Sequence, residues 1–134
     1  MSKEFEVAVI ASGSKGNSTI IKAGDTAFLV DAGISCRRIT NGLKECGLHP
    51  LDLSGVLITH EHTDHVSGLP VLSRKYKLPI FANEKTWQAM EVRNEIERSC
   101  HRLLPGQLSF GGLTVSSFAI SHDAASPVGY AFFY

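Results

Sequence analysis

GVLITHEHTDH, residues 55–65, decides how the rest of the chain is read. The run Val56-Leu57-Ile58 suits a short buried strand. His60, His62, Asp64 and His65 follow it at once. In extended backbone, residues i and i+2 project to the same side, so His60 and His62 can offer two imidazoles to one cation. Asp64 and His65 come as the chain turns towards the next helix and can aim at a neighbouring point. Two nitrogens for one ion, with a carboxylate and a nitrogen for another, begin a two-metal centre. The end of a strand is also where open sheets gather ligand-binding residues. Helical H-E-x-x-H is excluded, because its second histidine would fall on Asp64.

Working outward, EFEVAVIA (4–11) alternates Phe5, Val7 and Val9 on one face, the period of a strand. SGSKGNS (12–18) breaks that run with turn formers. STIIKAG (18–24) and TAFLVDAG (26–33) read as two more strands joined at Gly24-Asp25. Cys36, Ile39, Leu43 and Cys46 recur at helical spacing, so 35–46 is expected to be an amphipathic helix. Ser35 is its N-cap and Gly47 its stop. A helix is expected within 68–77, with Pro70 in its first turn, then a strand over 78–83. Asn83 is placed to cap a charged helix over 84–98. Residues 107–121 read as a hairpin across Gly111-Gly112, and the chain ends in another strand. Strands interleaved with helices predict an α/β (α+β) sandwich with helices covering sheet faces.

The chain has 134 residues, 43% hydrophobic and 19% charged, the composition of one globular domain and not of a disordered segment. Lys+Arg and Asp+Glu both total 13, so the bulk charge points to no class of partner. Cys36, Cys46 and Cys100 form no C-x-x-C pair and read as small buried hydrophobes in a reducing compartment. No run approaches the ~20 apolar residues of a membrane span, and MSKEFEV lacks the apolar core of a signal peptide. A cytoplasmic protein without membrane association is expected. His49 and His101 read as surface or packing residues, and Trp87 as a core anchor. Arg37-Arg38 and the basic run 74–77 read as solvated helix faces.

H-x-H-x-D-H after a short apolar strand, with an earlier strand ending in Asp31-Ala32-Gly33, resembles the metallo-β-lactamase-fold hydrolases. SGSKGNS and ISHDAASPVGY (120–130) are similar to the YycJ-like (WalJ-like) branch, a bacterial cytoplasmic group associated with 5′-to-3′ DNA exonuclease activity. The resemblance implies an αββα sandwich with the metals at the edge between its two sheets. It implies that His60 and His62 bind one metal, completed by His122, and that Asp64 and His65 bind a second. Asp31 would support the metal loop, and Asp64 would orient the nucleophile or accept its proton. Two divalent ions are implied, with zinc the default for imidazole-rich sites and manganese the alternative. A metal-bridging hydroxide would attack phosphorus in DNA. SGSKGNS would sit beside the metals, where Ser14 and Asn17 could touch a phosphate.

The resemblance covers the N-terminal half of such proteins. Residues 1–134 are therefore expected to be a partial domain whose second metal site lacks ligands, with an apolar sheet face open to self-association. Two other readings stand beside the nuclease. One keeps the metals and changes the substrate to a thioester, lactone or cyclic phosphodiester. The other is a non-catalytic metal-binding fragment.

Overall fold

The computed structural model describes residues 4–134. β1 (Phe5–Ala11), β2 (Ser18–Ala23) and β3 (Thr26–Val30) form an antiparallel meander. Gly24, at φ +59, opens the two-residue turn between β2 and β3, the position that favours glycine in such hairpins. Helix α1 (Cys36–Glu45) then leads to β4 (Gly55–Leu57). Two consecutive helices, α2 (Thr63–Val66) and α3 (Leu69–Tyr76), lead to β5 (Ile80–Ala82). Helix α4 (Glu84–Ala89) and two 3-10 turns precede β6 (His101–Leu103). These six strands make one sheet in sequence order, parallel from β3 to β6. β7 (Gln107–Phe110), β8 (Leu113–Ala119) and β9 (Val128–Phe133) form a second, antiparallel sheet.

Alternation along the central strands sets the layers. Ala27, Leu29, Val56, Ile80 and Ala82 join Ile39, Leu43, Leu69, Leu72 and Trp87 in the core beneath the helices. Phe28, Leu57 and Phe81 point the other way and pack with Leu113 and Val115 of the second sheet. A strand buried on both faces needs apolar residues at every position, which is why TAFLV and GVL read as continuous apolar runs. The described residues thus build three layers, helices on the first sheet and that sheet on the second.

Local signals account for most element ends. Ser35 accepts from the Arg38 amide at 3.2 Å, and Gly47 follows α1 at φ +74. Gly42 sits mid-helix because a Cβ there would meet the Ile10 side chain at 2.9 Å. Pro70 falls in the first turn of α3. Gly111 and Gly112 take φ +50 and +87, matching the β7–β8 turn to the strand twist.

One expectation needs correction. The helix expected over 84–98 stops at Ala89, and residues 91–95 and 98–100 are 3-10 turns. Met90, Ile96 and Cys100 are all buried, so the chain unwinds to press them into the core while it returns to start β6. β6 itself had no counterpart in the sequence reading. On β1, Ala8 and Ile10 face the helical core, whereas Phe5, Val7 and Val9 are 40%, 57% and 62% exposed.

Candidate metal centre

Four loops meet at one end of the first sheet, and Asp31 is where they are joined. It follows β3 with φ +63, a left-handed conformation that aspartate tolerates better than most residues. Its carboxylate accepts from the Thr59 amide at 2.8 Å, the Thr59 hydroxyl at 2.7 Å and His65 Nδ1 at 2.6 Å. Its own amide donates to the Leu57 carbonyl at 2.8 Å. A carboxylate only 4% exposed is thereby fully occupied. Two residues on, a Cβ at Gly33 would lie 1.7 Å from the Asp64 carbonyl oxygen. The bare glycine lets the histidine loop pass that close, with the Ala32 amide donating to the His65 carbonyl at 2.8 Å.

This network sets the histidine tautomers. The Thr59 hydroxyl spends its proton on Asp31, so it can only accept from His60 Nδ1, 2.9 Å away. His60 Nε2 is then left with a free lone pair. By the same logic the Nδ1–H of His65 is held by Asp31, leaving Nε2 to face Asp64 Oδ2 at 3.7 Å. Carboxylate-backed imidazoles of this kind are the usual support of metal-ligating histidines.

His122 arrives from the 120–127 loop between β8 and β9. One ligand nitrogen from each of His60, His62 and His122 lies within 4.8 Å of the others. The ring centroids of His60 are 4.6 Å from those of both His62 and His122. Three imidazole nitrogens converging this closely fit a borderline-soft divalent cation. Asp64 and His65 form a second, adjacent pair, with the His65 ring 4.0 Å from that of His60.

Burial and the neighbouring His65 charge, with smaller contributions from His62 and His122, lower the His60 pKa from 6.5 to about 4, against the pull of Asp31. For His65, burial opposes protonation, but the Asp31 hydrogen bond and the charges of Asp31 and Asp64 outweigh it and raise the pKa. The two act oppositely on folding. Between pH 6.5 and about 4 the unfolded chain protonates at His60 while the folded chain resists, so this residue destabilises the metal-free fold as pH falls. His65 stabilises it fully below 6.5, and that contribution fades as pH rises through its raised value. An NMR titration of the metal-free chain should place the His60 transition near pH 4, and a midpoint at 6.5 would contradict the crowded, buried ring.

The family model described as "Metallo-beta-lactamase superfamily" matches residues 11–115, from the end of β1 into β8. The chain belongs to this superfamily. Among curated metallo-beta-lactamase-fold relatives, exodeoxyribonuclease WalJ of Streptococcus pneumoniae serotype 2 is 44% identical over 133 residues, covering 96% of this chain and 49% of that protein. Exodeoxyribonuclease YycJ of Bacillus anthracis is 46% identical over 128 residues, covering 93% and 48%. The chain thus spans about half the length of these relatives. Among solved structures, BJP-1, a subclass B3 metallo-beta-lactamase of Bradyrhizobium japonicum, superposes with a TM-score of 0.78 at 16% identity, covering 98% of this chain and 55% of that one. That likeness shows the fold. The resemblance read from H-x-H-x-D-H, SGSKGNS and the 120–130 stretch is borne out at the level of family and branch.

Within this metallo-beta-lactamase fold, the SGSKGNS loop does lie against the histidine loop. The Asn17 amide donates to the Asp64 carbonyl at 2.8 Å, and its carboxamide nitrogen reaches the Gly13 carbonyl at 2.8 Å. That nitrogen is also 3.2 Å from both Asp64 Oδ2 and His65 Nε2. Ser14 is exposed. Gly16 is small because a Cβ there would lie 2.6 Å from the Gly33 carbonyl. Four residues outside the sequence reading of the site also hold it. They are Thr59, Glu61, Tyr130, whose hydroxyl donates to the Ile58 carbonyl at 2.6 Å, and Asn83. Asn83 caps α4 as expected, and its Nδ2 also donates to the Ser126 carbonyl at 2.8 Å. Burial and the Asp31 charge raise the Tyr130 pKa, keeping it a neutral donor. Thr59 and Glu61 adjoin candidate ligands in sequence, whereas nothing in the sequence places Asn83 or Tyr130 at the site. Among the described residues, no helix is long and apolar enough to cross a membrane.

Proposed function

We propose that this chain carries the metal-binding part of a phosphodiesterase acting on DNA, with the 5′-to-3′ exonuclease polarity of the branch it resembles. The observation that supports it most is the convergence of His122 on His60 and His62 from a separate loop. The names of the WalJ and YycJ relatives supply the substrate class. His60, His62 and His122 hold one divalent cation, and Asp64 with His65 faces a second. Zinc suits the imidazole set, with manganese the alternative. When bound, such ions would bring the pKa of water towards neutrality and would offset charge growing on phosphoryl oxygens.

The chain's own groups do the rest. Asp31 and Thr59 fix the tautomers that leave His65 Nε2 and His60 Nε2 unprotonated. Asp64 orients the nucleophile and holds its proton at the carboxylate. Asn17 keeps the 12–18 loop against Asp64, and Ser14, exposed on that loop, contacts a substrate phosphate together with backbone amides. The uncovered Phe118 and Phe133 of the second sheet, with Ile120 just beyond β8, favour self-association.

Cobalt titration followed by visible absorbance tests the site. One equivalent should bind with a tetrahedral spectrum that His122→Ala removes, with weaker filling of the Asp64/His65 pair. Hydrolysis is then compared on 5′-labelled linear DNA, a thioester and a lactone. Cleavage of the thioester or lactone with DNA untouched would overturn the nuclease reading, and cobalt binding insensitive to His122→Ala would overturn the site.

A further inference from the structure

Glu61 lies between two of the candidate ligands, yet its side chain does not point with theirs. Its Oε2 accepts from the backbone amide of Ala125 at 3.0 Å, across 64 residues of sequence. Its Oε1 is buried and has no hydrogen-bond partner among the described residues. The Ala125 contact is therefore what fixes the direction of this side chain among the described residues. The amide it engages belongs to the loop that delivers His122. That loop is exposed at His122 and Ala125, and the chain restrains it at few points. Asn83 holds Ser126 from the helical side, and the Val128 amide donates to the Thr59 carbonyl at 2.9 Å where β9 begins. Glu61 is the tether on the metal side, nearest to His122.

We propose that Glu61 is a positioning residue that fastens the 120–127 loop to the 60–65 loop and thereby fixes His122 opposite His60 and His62. The inference rests on the three-histidine reading of the site. A ligand on an exposed loop must otherwise give up conformational freedom when the cation binds, which weakens affinity without altering any ligand. The charge of Glu61 is not what matters here. A hydrogen-bond acceptor at Oε2 is.

The test uses the whole 134-residue chain and the metal alone. Glu61→Ala should weaken cobalt binding by ~10–100-fold, the range for lost supporting contacts to metal ligands. It should also speed hydrogen exchange at the Ala125 amide, while the metal-free chain keeps its melting temperature within a few degrees. Glu61→Gln retains an acceptor oxygen and should recover affinity to within about threefold of the parent, with exchange at Ala125 slow again. Glu61→Ala binding cobalt as tightly as the parent, or Glu61→Gln behaving like Glu61→Ala, would overturn the proposal. His122→Ala is run in parallel. If it abolishes binding while Glu61→Ala does not, the tether fails and the site stands. If it leaves binding intact, the three-histidine reading fails and the tether falls with it.

Discussion

Gly33→Ala is expected to abolish native folding of this chain. The added Cβ would sit 1.7 Å from the Asp64 carbonyl oxygen, 2.2 Å from its carbon and 2.7 Å from the His65 amide nitrogen. All three are backbone atoms, so no side-chain rotation relieves the overlap. The backbone cannot retreat cheaply either. The Asp64 carbonyl is held by the Asn17 amide at 2.8 Å, and the His65 carbonyl by the Ala32 amide at 2.8 Å. Breaking this lamination costs well over the ~1–3 kcal/mol of ordinary overpacking. Against a total stability of about 5–15 kcal/mol, that leaves little or no native population. Gly42→Ala is the informative control. There the clash is with the Ile10 side chain at 2.9 Å and not with backbone, and alanine's better helix propensity offsets part of it, so this variant should fold. Urea denaturation of both variants checks the contrast. A Gly33→Ala midpoint close to the parent's would mean the histidine loop is far more yielding than its packing implies.

Substitution of Asp31 has the next largest effect, and two variants separate its causes. Asp31→Ala leaves the Thr59 amide, the Thr59 hydroxyl and His65 Nδ1 without their acceptor, in a position 4% exposed. Unpaired buried donors cost ~1–3 kcal/mol each, so a loss of at least ~3 kcal/mol is expected. Asp31→Asn preserves the size and tolerates φ +63, so the backbone is not at issue. It cannot, however, accept three donors, because one end of a carboxamide is itself a donor. The least costly escape moves the His65 proton to Nε2, the nitrogen that faces Asp64. Metal filling of the Asp64/His65 pair should then weaken ~10–100-fold, with a smaller stability loss than for alanine. Parallel denaturation and cobalt titrations decide this. Asp31→Asn matching the parent in both would remove Asp31 from its organising role.

Much of the fold is legible in the sequence. Ser35, Gly47, Pro70 and Asn83 mark helix ends because capping and φ restrictions act within one turn. Gly24 and the Gly111-Gly112 pair mark hairpins for the same local reason. The 84–98 segment shows where this stops. Its charge pattern and cap suit a helix, yet the buried Met90, Ile96 and Cys100 are satisfied only by unwinding it. Trp87 donates its indole N–H to the Arg102 carbonyl at 2.8 Å, a contact that exists only once β6 has been laid beside β5.

The site divides along the same line. Sequence alone placed His60, His62, Asp64 and His65 together, since two-residue spacing on extended backbone is geometry that no tertiary contact is needed to create. That His122 joins them, that Asp31 dictates their protons, and that Gly33 must be bare were decided by the tertiary structure. Each depends on loops distant in sequence approaching within hydrogen-bond range, and the balance of packing that brings them there is a property of the whole chain.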